Sequence, residues 1–270
     1  MALGDDNGRW LLLGVLLVGA CVGAVALSRV ERRKPTAAAA ERIDPAWTPP
    51  TGKDPVSVSS LLEQDLGVSV LYARGPVRQI DFSAGAISPR EGDRALFFLL
   101  PELRRHSREF LQAARLKNVL LGTALSAGNL PGGGIVGLTV AGQTFFVADV
   151  RAREPVLRHV FHHELYHLAD SLLSSDPEWE GLNPAGFAYD RKDAVKMDPS
   201  GSMIDRTRFG FISRYATFSA GEDKAELFAF LVTDTRTVRE LASRDSVLRR
   251  KVSLLEARVT EKAGVLPWAP

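Results

Sequence analysis

Hydrophobic and polar positions divide the chain into three unequal regions. From Trp10 to Leu27, 18 successive residues carry neither charge nor proline. As a helix they would span roughly 27 Å, close to the hydrocarbon thickness of a bilayer. The run is apolar on every side and lies at the N-terminus, which favours a membrane anchor or signal helix over a buried core helix. Residues 31–60 show no apolar period, because Pro35, Ala37 to Ala40, Pro45, Pro49, Pro50 and Pro55 interrupt it. That stretch reads as a tether. Beyond it apolar residues are dispersed in short runs, as in a folded domain. The expected division is 1–30 anchor or signal, 31–55 Pro/Ala-rich linker and 56–270 folded domain.

Within the last region, Val68 to Tyr72 and Val119 to Leu125 read as strands. From Ala95 to Lys117, Leu96, Leu99, Leu103, Phe110, Leu111 and Ala114 recur at helical spacing. Pro101 interrupts this stretch, so the helix is expected to begin there. Gly128 to Gly137 is glycine-rich but lacks the Gly-Lys-Ser/Thr ending of a phosphate loop, so it reads as a turn. Ile135–Val140 and Thr144–Val150 form an expected hairpin. Glu154-Pro155 then opens a helix to about Leu173. Residues 174–214 read as loop, and Gly221 to about Lys262 as helix. The predicted fold class is α+β, with a central helix entered from a hairpin.

Composition narrows the function classes. A formal charge of +2, with basic residues scattered among acids, excludes an extended phosphate-binding track, and no nucleic-acid partner is expected. The single cysteine, Cys21, lies in the apolar run, so neither a disulfide nor a thiolate metal site can be built. Val18-Gly19-Ala20-Cys21 matches a lipobox, although the chain stays apolar past it. Arg29, Arg32, Arg33 and Lys34 after the run would hold the body in the cytoplasm by the positive-inside rule. Signal-anchor behaviour gives the reverse. The expectation taken is a membrane-associated protein with an extracytoplasmic domain.

Four of the five histidines fall between positions 159 and 167, within which stands His163-Glu164-Leu165-Tyr166-His167, an HExxH pattern. On a helix, residues i and i+4 share a face, so both imidazoles can reach one ion at roughly 2.0–2.1 Å. Glu164, offset by one position, stands beside the ion, where it can take a proton from water. His159 shares that face but is about 12 Å along the helix from His167, too far for the same ion. Two histidines leave a zinc site short of a third protein ligand. Positions Asp170 and Leu173 exclude the longer HExxHxxGxxH pattern. Glu222 and Glu226 offer two carboxylates one turn apart, one for the metal and one to orient a ligand imidazole. Ser219-Ala220-Gly221-Glu222 equally fits a capping box. Tyr215 equally fits a packed core tyrosine, and Asp170 a plain helix-surface acid.

His163-Glu164-Leu165-Tyr166-His167-Leu168-Ala169-Asp170, followed by Tyr215 through Glu222 and then Glu226, resembles the zinc metallopeptidase domain of the anthrax lethal-factor type. It also resembles bacterial zinc-binding metallopeptidases related to that domain. The resemblance covers roughly residues 130–232. It implies a zincin-like fold, one Zn²⁺ per chain held by His163, His167 and Glu222, and Glu226 with Asp170 supporting the ligands from behind. It also implies Glu164 as general base and Tyr215 as hydrogen-bond donor to the oxyanion. The expected activity is a membrane-tethered zinc metallopeptidase that hydrolyses peptide or protein substrates through a metal-activated water. Two other readings stay open: a non-catalytic binding or scaffolding domain, and a hydrolase of another amide such as a cell-wall peptide.

Overall fold

The computed structural model describes residues 43–44, 58–73, 75, 77–78, 82–127, 136–139, 145–173, 175–189 and 204–268. The apolar run Trp10 to Leu27, Cys21, most of the tether and most of the glycine-rich turn lie outside them. Among the described residues no helix is long and apolar enough to cross a membrane. In chain order the elements are β1 (Ile43–Asp44), α1 (Val58–Leu66), β2 (Ser69–Ala73), β3 (Val77–Arg78), β4 (Phe82–Gly85), α2 (Pro89–Leu103), α3 (Arg108–Ala113) and β5 (Asn118–Ala127). There follow β6 (Gly137–Thr139), β7 (Phe145–Asp149), α4 (Glu154–Leu173), α5 (Asp176–Glu180), a 3-10 turn (Tyr215–Thr217), α6 (Ala220–Thr233), α7 (Thr235–Arg244) and α8 (Ser246–Ala263).

The long strand β5 organises the sheet. Its first half pairs in parallel with β2 and with β7, and its second half pairs antiparallel with β4. β6 runs antiparallel to β7 from Gly137↔Ala148 to Thr139↔Phe146, as expected of the hairpin. β1, inside the stretch read as linker, pairs antiparallel with β2. With parallel pairs at its centre the sheet is mixed, and so is the fold: α/β.

Side chains alternate across the pleat. Val70, Tyr72, Val119, Leu121, Phe146 and Ala148 face the main core, whereas Ala73, Ala84, Leu120, Leu125 and Val147 form a smaller cluster. Helix α4 adds Leu157, Phe161, Leu165 and Ala169 to the main core at four-residue steps. Phe161 meets the Phe146 ring edge-on at 5.4 Å. Helix α6 is buried almost continuously from Asp223 to Val232 and packs against α4. At roughly 1.5–3 kcal/mol per buried large apolar side chain, the α4–α6 contact is a principal source of stability.

Two expectations are corrected. The helix expected to begin at Pro101 instead begins at Pro89. Ser88 caps it, accepting from Glu91 N while the Glu91 carboxylate accepts from Ser88 N. Pro101 falls in the last turn, where it lacks the N–H that would bond to the Phe97 carbonyl, and the helix ends two residues later. The stretch then breaks, and Ser107 caps a second helix, α3. The loop-like stretch from 174 likewise contains the short helix α5.

Candidate metal and catalytic site

Helix α4 carries the HExxH residues, and strand β6 lies directly against it. A Cβ on Gly137 would meet Val160 Cγ1 at 2.1 Å and Glu164 Cγ at 3.3 Å, so only glycine permits this approach. The Thr139 hydroxyl donates to the Glu164 carbonyl at 3.1 Å. Sheet edge and helix are therefore held together beside Glu164.

His163 and His167 face α6, whose first turn presents Glu222. Ser219 caps that helix, its Oγ accepting from Glu222 N at 3.2 Å. The Glu222 carboxylate points to the histidines: its Oε2 is 2.9 Å from His163 Nε2 and 3.3 Å from His167 Nε2. The two imidazole nitrogens are 3.1 Å apart. A tetrahedral ion with ligands at about 2.05 Å has donor–donor edges of about 3.3 Å. The three donor atoms thus form a triangle of zinc-site size, and their chemistry fits that ion. Electrostatics agree. Burial opposes the charge on Glu222, but His167 and His163 outweigh it and hold its carboxyl well below the usual range. Burial likewise opposes charge on His163, yet Glu222 and Glu226 raise its pKa well above the ordinary value. The pocket is built for a positive charge.

Glu226 lies behind His163. Its Oε1 is 3.0 Å from His163 Nδ1 and 2.9 Å from His159 Nε2, and the Ser213 hydroxyl donates to its Oε2 at 2.5 Å. A proton on His163 Nδ1, donated to Glu226, leaves the Nε2 lone pair for a cation. His159, His163 and Glu226 also converge as a possible donor set. Hydrogen bonding already accounts for that cluster, because a carboxylate this buried needs such donors.

The Tyr215 ring stacks on His163, with centroids 5.7 Å apart and planes 26° apart, and on Phe218 at 6.1 Å. Burial first, then the charges of Glu222, Glu164 and Glu226, push its phenol pKa well above the usual value. Tyr215 therefore stays a protonated donor. The Glu164 charge acts on both Tyr215 and His167, so its carboxylate lies near both.

Asp170, for which ligand support is implied, feels the charges of both Lys224 and His167. It ion-pairs with the buried Lys224 at 2.5 Å, tying α4 to α6. Lys224 also reaches Asp176 at 2.7 Å. In the stretch 176–189, Trp179 Nε1 and the Tyr189 hydroxyl donate to Asp223 Oδ2 at 2.8 and 2.9 Å, tying it to α6. His162 faces away from the triangle. Its Nδ1 is 3.1 Å from His106 Nε2 and its Nε2 is 2.9 Å from Glu102, which ion-pairs with Arg105 and Arg158. Of these partners, Ser213, Asp223 and Glu102 escape a reading of the sequence. The one signal was that acids inside an apolar helix, as in Ala225-Glu226-Leu227-Phe228, require buried partners.

Residues 144–262 match the protein family described as "Putative zinc-binding metallo-peptidase". The match runs from β7 into α8 and includes His163, Glu164, His167, Tyr215, Glu222 and Glu226. Among solved structures, a protein from Bacteroides caccae ATCC 43185 described as a "putative zinc-binding metallo-peptidase" is similar. Identity is 15%, coverage is 67% of this chain and 72% of that one, and the TM-score is 0.46. No curated protein matches the chain.

Proposed function

We propose that this chain is a zinc-dependent metallopeptidase of the HExxH-plus-Glu type, with a site of the anthrax lethal-factor kind. The observation that carries the reading is the triangle of His163 Nε2, His167 Nε2 and Glu222 Oε2, with edges of 2.9, 3.1 and 3.3 Å. The family match over residues 144–262 supports it. A zinc ion bound by these three residues would supply Lewis-acid activation of water. Glu164 takes the proton of the attacking water and passes it to the departing amine nitrogen. Tyr215, protonated and stacked on His163, donates to the oxygen that gains charge as the carbonyl becomes tetrahedral. Glu226 keeps His163 in the tautomer with Nε2 free. A purely structural zinc would need neither Glu164 nor Tyr215. The apolar run Trp10 to Leu27 supports a membrane tether, with a peptide or protein as substrate.

Elemental analysis of the purified full-length chain, beside a His163→Ala control, tests the reading. The expected result is one zinc per chain, lost in the control, together with chelator-sensitive cleavage of a peptide library. A folded protein that takes up no zinc when supplied with it would overturn the proposal.

A further inference from the structure

Glu226 supports His163 through Oε1, which His159 also reaches, but a carboxylate held at one oxygen alone can still rotate about it. Its second oxygen is fixed by Ser213, a residue with no exposed surface. The Ser213 Oγ accepts from Ala216 N at 3.1 Å and lies 2.5 Å from Glu226 Oε2. A hydroxyl has one proton, and the bond from Ala216 occupies a lone pair of the oxygen, so the proton goes to Glu226. Ala216 belongs to the 3-10 turn Tyr215–Thr217. One hydroxyl therefore joins the turn that carries Tyr215 to the carboxylate that supports His163.

We propose that Ser213 is a positioning residue of the peptidase site, holding Glu226 against His163 and the Tyr215 turn beside it. The inference rests on the metallopeptidase reading above. It explains why a buried serine precedes Tyr215 by two positions in an irregular segment, where packing alone would be served by alanine. Without the hydroxyl, Glu226 Oε2 loses a charge-assisted hydrogen bond in a buried position, and the orientation of His163 becomes less determined.

The test is a mutant cycle read as zinc affinity, by competition with a chromophoric chelator, on the full chain. Ser213→Ala is expected to weaken zinc binding about 10-fold, the lower end of the range for partners that orient a ligand histidine. Glu226→Gln is expected to weaken it by about 10–100-fold. Because Ser213 acts through Glu226, the double variant should bind within about twofold of Glu226→Gln alone. Cobalt substitution gives a second readout, since the visible spectrum of bound Co²⁺ should shift in Ser213→Ala and Glu226→Gln alike. A serine that merely packs would leave affinity and spectrum unchanged. Wild-type zinc binding with an unchanged Ser213→Ala, or additive losses in the double variant, overturns this inference alone. A wild-type chain that binds no zinc overturns the reading beneath it as well. Should Ser213→Ala fail to fold by circular dichroism, Ser213→Cys, close in size and a weak donor, carries the same cycle.

Discussion

Glu222 Oε2 lies 2.9 Å from His163 Nε2, although 59 residues separate the two in the chain. Glu226, one turn further on, meets the same imidazole at its other nitrogen, 3.0 Å away. The two acids are therefore not interchangeable. Glu222→Ala removes a donor atom of the triangle and should abolish zinc binding at micromolar metal. Glu226→Ala removes only support and should weaken binding by about 10–100-fold. Chelator competition ranks them, and the reverse ranking would reassign the third ligand.

Glu164 contributes no atom to the triangle, but its charge acts on both His167 and Tyr215. Glu164→Gln should keep zinc at the wild-type level while turnover of a cleaved peptide falls by roughly 10²–10⁴-fold, the scale of a lost general base. Full turnover with zinc retained would remove Glu164 from the mechanism.

Helix α4 was legible to its ends because its signals are local: Glu154-Pro155 at the start, and apolar positions at four-residue steps. The β6–β7 hairpin was legible for the same reason. The start of α2 was not, because Pro101 is a louder signal than the Ser88–Glu91 pair that caps the helix 13 positions earlier. At α6 the sequence left two uses of Glu222 open, a capping box and a ligand. Ser219 does cap the helix, and the Glu222 side chain still turns to the histidines, a choice only tertiary placement makes. Ser213 was invisible, because no periodicity links an irregular segment to the middle of a later helix.

Gly137 admits strand β6 to the surface of α4. Gly137→Ala would place a Cβ 2.1 Å from Val160 Cγ1 and 3.0 Å from Phe146. The strand must then move away from Glu164, at a cost of about 1–3 kcal/mol for an overpacked contact. Adding Val160→Ala should recover part of that loss in denaturant melts. No recovery would show that the contact with Val160 is not what requires glycine.

The Ser88–Glu91 cap gives a pH dependence. The Ser88 backbone N–H, then its hydroxyl and Arg151, lower the Glu91 pKa from 4.5 to about 2. A depressed folded-state pKa stabilises above the unfolded value and is lost as pH falls through the folded one. Because Glu91 is largely solvated, the contribution is about 1 kcal/mol, the scale of a helix cap. Between pH 5 and pH 2 the wild type should lose about that much more stability than Glu91→Gln. Equal losses by urea titration would refute the assignment.

Asp223 and Lys251 are both buried and meet at 2.6 Å next to the Glu222 position. Lys251 also donates to the Gly210 carbonyl at 2.8 Å and lies 3.9 Å over the Phe211 ring. Burial raises the Asp223 pKa and lowers that of Lys251, so each charge persists through the other and its hydrogen bonds. Removing one partner leaves a buried charge uncompensated, which costs about 3–5 kcal/mol. Lys251→Met should therefore destabilise by that amount. Adding Asp223→Asn, whose amide oxygen can still accept from Trp179 and Tyr189, should restore part of the loss. Thermal melts of the two single variants and the double decide it. Additive losses would mean that the pair is not a unit and that α6 is held at Glu222 by packing alone.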